Sequence, residues 1–199
     1  MQLVLADLGH HFPGAPPLFT GLNAHLESGE VTAVVGPSGS GKSTLLSLIA
    51  GWLAPTTGTI SRPPGARLTW VFQNPFGVAH RTAVDHIVLP YLAHGLQRPD
   101  AEREAHSVLR LFGLAELAER QFADLSGGEA QRLMLARAVA SAPDLMLVDE
   151  PTAQLDRTSA GAVIEALGNL ASTGALVVIA THDPRVREVC HRVIDLGTT

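Results

Sequence analysis

The fold is decided by the stretch Val31-Thr-Ala-Val-Val-Gly-Pro-Ser-Gly-Ser-Gly-Lys42-Ser-Thr44. Its first five residues are apolar or β-branched and predict a buried strand, and a helical pattern, Lys42–Ala50, follows the glycines. A glycine-rich turn between a strand and a helix lets backbone N–H groups point at phosphate oxygens, and the positive end of the helix dipole assists. The pattern in this position is typical of a nucleotide triphosphate site.

In such a site, Lys42 reaches the β- and γ-phosphates of the nucleotide, and the Ser43 hydroxyl coordinates Mg²⁺. The other residues expected to hold ATP surround these two along the turn. They are Gly36, Pro37, Ser38, Gly39, Ser40, Gly41 and Thr44. This motif alone leaves a small-molecule kinase or a GTPase as alternatives.

Further apolar runs predict strands, and further segments show helical periodicity. The strands are Leu3–Leu5, Leu68–Phe72, Leu145–Val148 and Leu176–Ala180. The helices are Pro99–Gly113, Ser126–Ala140 and a segment from about Thr158 to Ala171. That last helix lies between two strands, which favours a parallel sheet with a right-handed crossover. Residues from about 76 to 125 have little strand character, so we expect an α/β fold with a helical insertion.

The composition suits a protein of the cytoplasm. A hydrophobic fraction of 46% fits a sheet that is buried on both faces. No apolar run reaches the roughly 18 residues of a membrane-spanning helix, and the N-terminus shows no secretion signal. The net charge of −5 argues against a nucleic-acid partner. The lone Cys190 excludes an internal disulfide, and the pair His10-His11 predicts a surface loop rather than a metal site.

Two carboxylates, Asp149 and Glu150, follow the apolar run Leu145–Val148. A parallel strand delivers its last residues to the sheet edge where open α/β folds bind ligands, beside the phosphate turn. We expect Asp149 to hold Mg²⁺, directly or through water, and Glu150 to polarise the attacking water as a general base. A kinase that passes phosphate to a substrate does not need such a base, so the pair favours a hydrolase.

The segment Leu125-Ser126-Gly127-Gly128-Glu129 is the deciding feature among phosphate-loop proteins. It predicts a serine-capped helix start with two glycines in the first turn. Glycine costs helix stability there, and the close approach of a phosphate to exposed N–H groups explains its presence. We therefore expect a second phosphate-binding element in this segment.

Taken together, these segments resemble the nucleotide-binding subunit of ABC transporters over nearly the whole chain. The motifs occur in the family's order: Walker A (Lys42), the Q-loop (Gln73), the signature (Leu125–Glu129), Walker B (Asp149 and Glu150), the D-loop (Thr152–Asp156) and the switch histidine (His182). The resemblance implies a P-loop NTPase core with a mostly parallel sheet, N-terminal antiparallel β-strands and an inserted helical subdomain at about 76–140. Residues 1–199 would form one such ATPase domain.

The resemblance also implies a dimer in which ATP lies between the Walker A motif of one subunit and the signature of the other. Ser126 and Gly128 would then bind the γ-phosphate across the interface. His182 would contact the γ-phosphate and help to fix the attacking water. Gln73 would sense Mg²⁺ and the water, and would link hydrolysis to a membrane partner.

Two details of the chain depart from the usual family pattern. Phe12 is the expected adenine-stacking aromatic, where the family more often has tyrosine. Phe19 is the competing candidate, but its apolar neighbours favour a core position. In the D-loop, Gln154 stands where a small residue is common, which would change communication between the two ATP sites.

The function expected from this resemblance is that of an ATP-hydrolysing motor of a bacterial ABC transporter, bound to an integral membrane permease at the cytoplasmic face. The stretch Ala83–Gly95 resembles lipoprotein-release and macrolide-efflux ATPases, while an importer motor stays open. The alternative is a soluble ABC ATPase of DNA repair or translation, whose coiled-coil insertions or second cassette the sequence lacks. The transported substrate, its direction, the permease and the choice between homodimer and heterodimer are not indicated.

Overall fold

The computed structural model describes residues 1–153 and 155–197, which fold into two β-sheets and six α-helices. The strands are β1 Gln2–His10, β2 Phe19–Glu27, β3 Val31–Val35, β4 Thr57–Ser61, β5 Leu68–Val71, β6 Leu145–Asp149, β7 Leu176–Ala180 and β8 Arg192–Asp195. The helices are α1 Lys42–Ala50, α2 Ala83–Ala93, α3 Arg98–Leu111, α4 Gly127–Ala140, α5 Arg157–Ser172 and α6 Pro184–Val189. The expected α/β class is confirmed, and Gln154 lies outside the described residues.

The larger sheet is parallel, with the strand order β5-β6-β7-β3-β8. Its three central strands are buried along their full length. Successive side chains of a strand point to opposite faces, so these strands are covered on both sides. This burial explains why their sequences are apolar throughout instead of alternating, and it confirms the parallel sheet.

A hydrophobic core lies on each face of this sheet. Met146 and Val148 of β6 belong to the core that contains α2, α3, α4 and α5. Leu145 and Leu147 of the same strand belong to the core that contains α1 and the smaller sheet. The parallel sheet is therefore the middle layer. Two of its central strands lead directly into polar turns: β3 is followed by the glycine-rich turn, and β6 ends at the two carboxylates Asp149 and Glu150.

The smaller sheet is antiparallel, with the strand order β2-β1-β4. Gln2 of β1 pairs with Glu27 of β2, and Leu5 pairs with both Ala24 of β2 and Ile60 of β4. The N-terminal antiparallel strands that the resemblance implies are thus confirmed. Phe19 is 2% exposed within this layer, so it packs in the core and is not available to a nucleotide.

Several elements are not indicated by apolar runs in the sequence, namely β2, β4, β8, α2 and α6. Strand β2 alternates buried and exposed side chains, and β4 is exposed at nearly every position, so neither presents an apolar run. The surface loop predicted at His10-His11 is wrong for His10, which ends β1 and is 8% exposed. Phe72, predicted as a strand residue, follows the end of β5 and is exposed.

Helices α2, α3 and α4 occupy residues 83–140, and α2 packs against the other two. The Thr82 side chain accepts a hydrogen bond from the N–H of Asp85 and caps α2. Helix α4 begins with a capping box between Ser126 and Glu129. Across the two described ranges, no helix has the length and apolar character that crossing a membrane requires.

Candidate active site

The glycine-rich turn lies between β3 and α1, as the sequence predicts. Gly36 has a φ of 147° and Gly41 a φ of 95°, conformations that L side chains rarely adopt. A Cβ atom on Gly36 would lie 2.6 Å from the Ser40 Oγ, so only glycine fits there. Gly41 is the N-cap of α1 and supplies no side-chain cap. The first N–H groups of α1 therefore have no cap from that residue and can bind an anion.

Lys42, the first residue of α1, points back into this turn. Its Nζ donates to the carbonyl of Gly36 at 2.9 Å and to that of Pro37 at 3.1 Å. The ammonium group thus lies within the ring of backbone atoms where a phosphate would bind. Charge-assisted hydrogen bonds of this kind hold the ammonium group in position for an anion.

Asp149 ends β6 next to the start of α1, and it is 8% exposed. Burial raises the pKa of its carboxyl group, and the charge of Glu150 adds to this effect. A hydrogen bond with the Ser43 side chain and the charge of Lys42 act in the opposite direction. The Asp149 carboxylate and the Ser43 hydroxyl therefore meet at the turn, although they are far apart in the sequence.

Glu150 follows Asp149 with a φ of 48°, in the left-handed region. This conformation is uncommon for a residue with a side chain and persists where the surroundings determine it. The Glu150 N–H donates to the Ala180 carbonyl at 2.8 Å, which ties the strained residue to β7. The Glu150 Oε2 accepts from the Thr181 Oγ1 at 3.3 Å. The backbone thus aims the carboxylate across the end of the sheet.

His182 lies directly beside that carboxylate. Its Nδ1 is 2.9 Å from the Glu150 Oε1, and its N–H donates to the Glu150 Oε2 at 3.4 Å. The Glu150 side chain is 11% exposed and the His182 side chain is 70% exposed. A carboxylate held at the cleft floor and an imidazole reaching into solvent can together orient a water molecule and a phosphate.

One cleft of about 460 Å³ brings these groups together. Its lining residues are Phe12, Leu18, Ser38, Gly39, Gly41, Lys42, Ser43, Thr44, Gln73, Asp149, Glu150 and His182. Phe12 lies at its side, 44% exposed and edge-on to His10 at 5.0 Å between ring centroids. Of the residues predicted to bind ATP, Gly36, Pro37 and Ser40 belong to the turn and do not line this cleft. Leu18 is a lining residue that sequence reasoning missed, because nothing but the fold brings it near the turn.

The signature segment does not line this cleft. The Ser126 Oγ accepts from the Glu129 N–H at 3.3 Å, and the Glu129 Oε2 accepts from the Ser126 N–H at 2.7 Å. The hydrogen bond from the Ser126 N–H is the largest cause that lowers the pKa of the Glu129 carboxyl group, and the Ser126 side chain adds to it. The cap uses the Ser126 oxygen as an acceptor, and a hydroxyl group can donate as well as accept.

The D-loop residue Asp156 also lies outside the cleft and caps α5. Its Oδ1 accepts from the N–H groups of Thr158 and Ser159 at 2.9 and 3.0 Å, and its Oδ2 accepts from the Ser159 Oγ at 2.6 Å. The Nη1 of Arg132 donates to the same hydroxyl at 2.9 Å. Asp156 therefore joins the D-loop to α4 through Ser159.

A further residue that the sequence did not single out is Asp183. Its Oδ2 accepts from the Thr152 Oγ1 at 2.9 Å, and both of its oxygens accept from the guanidinium of Arg185. Since Asp183 follows His182, this contact ties the switch histidine to the start of the D-loop. The only sequence signal is its position next to His182, because Thr152 is 31 residues away.

We expect the Asp183→Asn variant to lose about 1–2 kcal/mol of unfolding free energy at neutral pH. The Arg185 guanidinium lowers the pKa of the Asp183 carboxyl group from 3.8 to about 2. A depressed pKa stabilises the native state above the unfolded value, and the contribution is lost as the pH falls from about 4 towards 2. Urea unfolding of both proteins at several pH values measures this difference. A gap that stays constant down to about pH 2 would contradict the assignment.

The oxygen donors at Asp149 fit a magnesium ion better than a transition metal. Among residues 1–153 and 155–197 there is no cluster of three histidine, cysteine, aspartate or glutamate side chains that could hold a metal alone. The donors at the turn are a hydroxyl, a carboxylate and the amide of Gln73, all hard oxygen ligands. Mg²⁺ typically takes one or two protein oxygens together with phosphate oxygens and water.

Comparison with known proteins agrees with this geometry. The family model described as ABC transporter matches residues 19–153. The lipoprotein-releasing system ATP-binding protein LolD of Anaeromyxobacter dehalogenans is 36% identical over 201 residues, covering 92% of this chain and 84% of that protein. The zinc import ATP-binding protein ZnuC of Cereibacter sphaeroides is 37% identical over 192 residues, covering 94% and 75%. An uncharacterized ABC transporter ATP-binding protein of Mycobacterium tuberculosis is 37% identical over 191 residues, and the chain spans 58% of its length.

A solved structure is similar along almost the entire chain. It is the dimeric, post-hydrolysis state of an ATP-binding cassette bound to ADP and Pi, with a TM-score of 0.83 and 26% identity. The similarity covers 98% of this chain and 95% of that chain. With its phosphate turn, paired carboxylates and histidine in one cleft, the chain belongs to the ABC transporter family, as an ATP-binding and ATP-hydrolysing subunit.

Proposed function

We propose that this chain is the motor subunit of a bacterial transporter, which pairs with a second ABC subunit around two Mg-ATP and drives an integral membrane permease. The observation that carries the proposal is the contact between Glu150 and His182 at 2.9 Å, in the cleft that also contains Lys42 and Asp149. A base, a phosphate-binding cation and a metal ligand in one cleft are the groups that hydrolysis of a phosphoanhydride requires.

In this mechanism the phosphate turn, from Gly36 to Thr44, binds the phosphates through N–H groups, and Lys42 contacts the β- and γ-phosphates. Glu150 accepts the proton of the attacking water, and His182 orients that water and the γ-phosphate. The strained backbone of Glu150 keeps the base aimed at the water. Both residues thus act on the same reacting atoms.

Ser43, Asp149 and Gln73 are the residues that would hold Mg²⁺. An ion held by these residues would supply positive charge against the negative charge of the phosphates. The positive ion would also offset the burial that raises the pKa of Asp149, and so keep this carboxyl group ionised. The hydrogen bond between Asp149 and Ser43 already brings two of the three donors together.

The signature residues, Leu125 to Glu129, complete the site of a second subunit. Their position outside the cleft of their own chain supports this role, because they are then free to meet a nucleotide held by a partner. The positive end of α4 and the hydroxyl proton of Ser126 would bind the γ-phosphate from the far side. Asp156, at the start of α5, would lie at the same interface. The partner is a second copy in a homodimer or a related ABC subunit in a heterodimer.

The surface that would meet the permease lies next to Gln73. A groove of about 480 Å³ runs between residues 69–76 and helix α2, and Phe76 at its rim is 85% exposed. An exposed aromatic side chain beside an apolar groove is a common feature of protein interaction sites. We propose that residues 76–140 form a helical subdomain of the single domain 1–199, placed against the permease at the cytoplasmic face of the membrane.

The experiment that tests this function is a pull-down with the Glu150→Gln variant and Mg-ATP from detergent-solubilised membranes of the native host. Recovery of a protein with several membrane spans supports the proposal, and a second ABC chain in the same sample identifies a heterodimer. If only soluble partners or nucleic acid are recovered while ATP still drives dimerisation, the transporter assignment falls. The alternative, a soluble ABC ATPase, is not favoured, because the relatives are transporter subunits.

We expect the Phe12→Ala variant to raise the KM for ATP about 3- to 10-fold with little change in kcat. An exposed ring at the side of the cleft would contribute to ATP binding by stacking on adenine. Such stacking stabilises the ground state and the transition state equally, so its loss changes KM and not kcat. The Phe12→Tyr variant keeps the ring and should behave like the parent protein. Steady-state kinetics with ATP, compared with inorganic triphosphate, measures the effect. An equal loss with triphosphate, which has no base, would show that Phe12 does not contact adenine.

A further inference from the structure

His86 is a buried histidine of α2 whose ring nitrogens both have backbone partners. The side chain is 1% exposed. The Nε2 atom accepts a hydrogen bond from the Val78 N–H at 3.0 Å, and the Nδ1 atom is 2.8 Å from the Thr82 carbonyl oxygen. A backbone N–H can only donate and a carbonyl oxygen can only accept. The geometry therefore requires the neutral ring with its proton on Nδ1.

The surroundings of His86 oppose a positive charge. Burial is the largest effect and lowers the pKa of the ring below its ordinary value of 6.5. The ring lies against Phe122, with 5.4 Å between centroids. The hydrogen bond to the Thr82 carbonyl raises the pKa, the charges of Arg137 on α4 and Arg81 in the preceding turn lower it further, and Asp85 raises it.

The Asp85 carboxylate, which favours a charged ring, also forms an ion pair with an arginine. Its Oδ1 accepts from the Nη2 of Arg98 on α3 at 3.0 Å. The cations near the ring thus come from α4, from the turn and from α3, and the Asp85 carboxylate is shared with Arg98. The pKa of the His86 ring therefore lies below the ordinary value of a histidine, and the neutral ring is favoured at neutral pH.

The hydrogen bond to Val78 holds one end of the segment that carries Gln73 and Phe76. At the other end, the Nε2 of Gln131 donates to the Phe72 carbonyl at 3.4 Å, and Gln131 is 1% exposed. Within the described part of the chain, residues 73–77 make no hydrogen bond of their own. Gly77 lies close to the Phe122 ring, since a Cβ atom there would be 2.4 Å from it. The segment is thus attached mainly at its two ends.

We propose that His86 is a positioning residue for this segment, and that protonation of its ring releases Val78 and so makes the placement of Gln73 and Phe76 dependent on pH. A proton on Nε2 would place two donors face to face, which removes the hydrogen bond to Val78. The segment then loses one of the hydrogen bonds at this end, where the Ala79 carbonyl still accepts from the Ala123 N–H at 3.0 Å. The consequence for hydrolysis rests on the function proposed above for Gln73, whereas the release of Val78 does not.

The first test measures amide hydrogen exchange of Val78 in the full chain between about pH 8 and 5, corrected for intrinsic rates. We expect protection of Val78 to fall about 10-fold across this range, while residues of β6 stay protected. In His86→Gln the amide oxygen can accept from Val78 and does not titrate, so protection should be constant. In His86→Phe an aromatic ring still fills the space, but it offers no acceptor to the Val78 N–H. Protection of Val78 should therefore be low at every pH.

Protection of Val78 that stays constant in the parent protein from about pH 8 to 5 would overturn the proposal, whether or not the variants fold. A fall in the protection of Val78 of the same size in His86→Gln would also overturn the proposal, because the pH dependence would then come from another group. The His25→Gln variant is the matched control, since His25 is an exposed residue of β2 and should leave the profile of Val78 unchanged.

The second test is the ATPase rate of His86→Gln divided by that of the parent protein. This ratio cancels every pH effect that the two proteins share. We expect it to be near one at about pH 8 and to rise towards pH 5, while the ratio for His25→Gln stays flat. A flat ratio together with a pH-dependent release of Val78 would keep the positioning role of His86 and refute the role proposed for Gln73. A flat ratio with constant protection would refute the inference itself.

Discussion

We expect the Glu150→Gln variant to bind ATP as the parent protein does and to hydrolyse it about 10²- to 10⁴-fold more slowly. The amide is nearly isosteric with the carboxylate, so its oxygen can still accept from the Thr181 hydroxyl. It cannot take a proton from water, however, and the general base is lost. Because the proposed dimer is held together by Mg-ATP between its subunits, a variant that keeps the nucleotide unhydrolysed should also accumulate as a dimer. Single-turnover hydrolysis and gel filtration measure the two effects.

The matched control for this experiment is Glu119→Gln, which makes the same change at an exposed position outside the cleft. It should keep the parent rate. If Glu150→Gln hydrolysed ATP at the parent rate, the assignment of the general base would be wrong. If it were slow but remained a monomer with Mg-ATP, the base would stand and the proposed dimer cycle would not.

The Lys42→Ala variant should lose about 10²- to 10³-fold in hydrolysis and should also bind ATP more weakly. Lys42 supplies the cation held 2.9 and 3.1 Å from the carbonyls of Gly36 and Pro37. Without the Lys42 ammonium group, the negative charge of the phosphates has no counter-charge in the turn. Because alanine carries no charge, we expect a lower kcat as well as a higher KM for ATP. Titration calorimetry with ATP and a steady-state assay measure the two.

A chemical experiment checks the same residue without a mutation. Lys42 is the only lysine in the sequence, so an amine-selective reagent reports on this side chain in a peptide map. ATP should protect Lys42 from modification, whereas adenosine, which has no phosphates, should not. Equal modification with and without ATP would contradict the contact between Lys42 and the phosphates. Arg67 pairs with Asp144 outside the cleft, so the Arg67→Ala variant is a suitable control for the loss of a cation.

The strained backbone at Glu150 gives this residue a structural role as well as a chemical one. Its φ of 48° is stable because the N–H is bonded to the Ala180 carbonyl and the carboxylate is bonded to Thr181 and His182. Thr181 and His182 belong to the segment that continues into Asp183, which is bonded to Thr152. The base, the switch histidine and the first residue of the D-loop therefore form one connected set of contacts.

The sequence alone predicted the elements whose signals are local. The apolar runs at β3, β6 and β7 predicted buried parallel strands, because a strand covered on both faces has no polar positions. Helix α1 was predicted with its observed bounds, since the glycine turn marks its start. Strand β2 was not, because half of its side chains face solvent and its register depends on β1. Helix α2 was not predicted either, because its sequence shows no clear helical periodicity of apolar residues.

For the site, the order of the motifs along the chain was enough to identify the phosphate turn, the carboxylates and the histidine, since each is a short contiguous pattern with its own chemistry. Only the tertiary structure decided which of them meet. The 2.9 Å contact of Glu150 with His182, the bond between Thr152 and Asp183 and the protonation state of His86 all depend on segments brought together by packing. A sequence states which groups are available, and the free energy of burying the chain determines which atoms become neighbours.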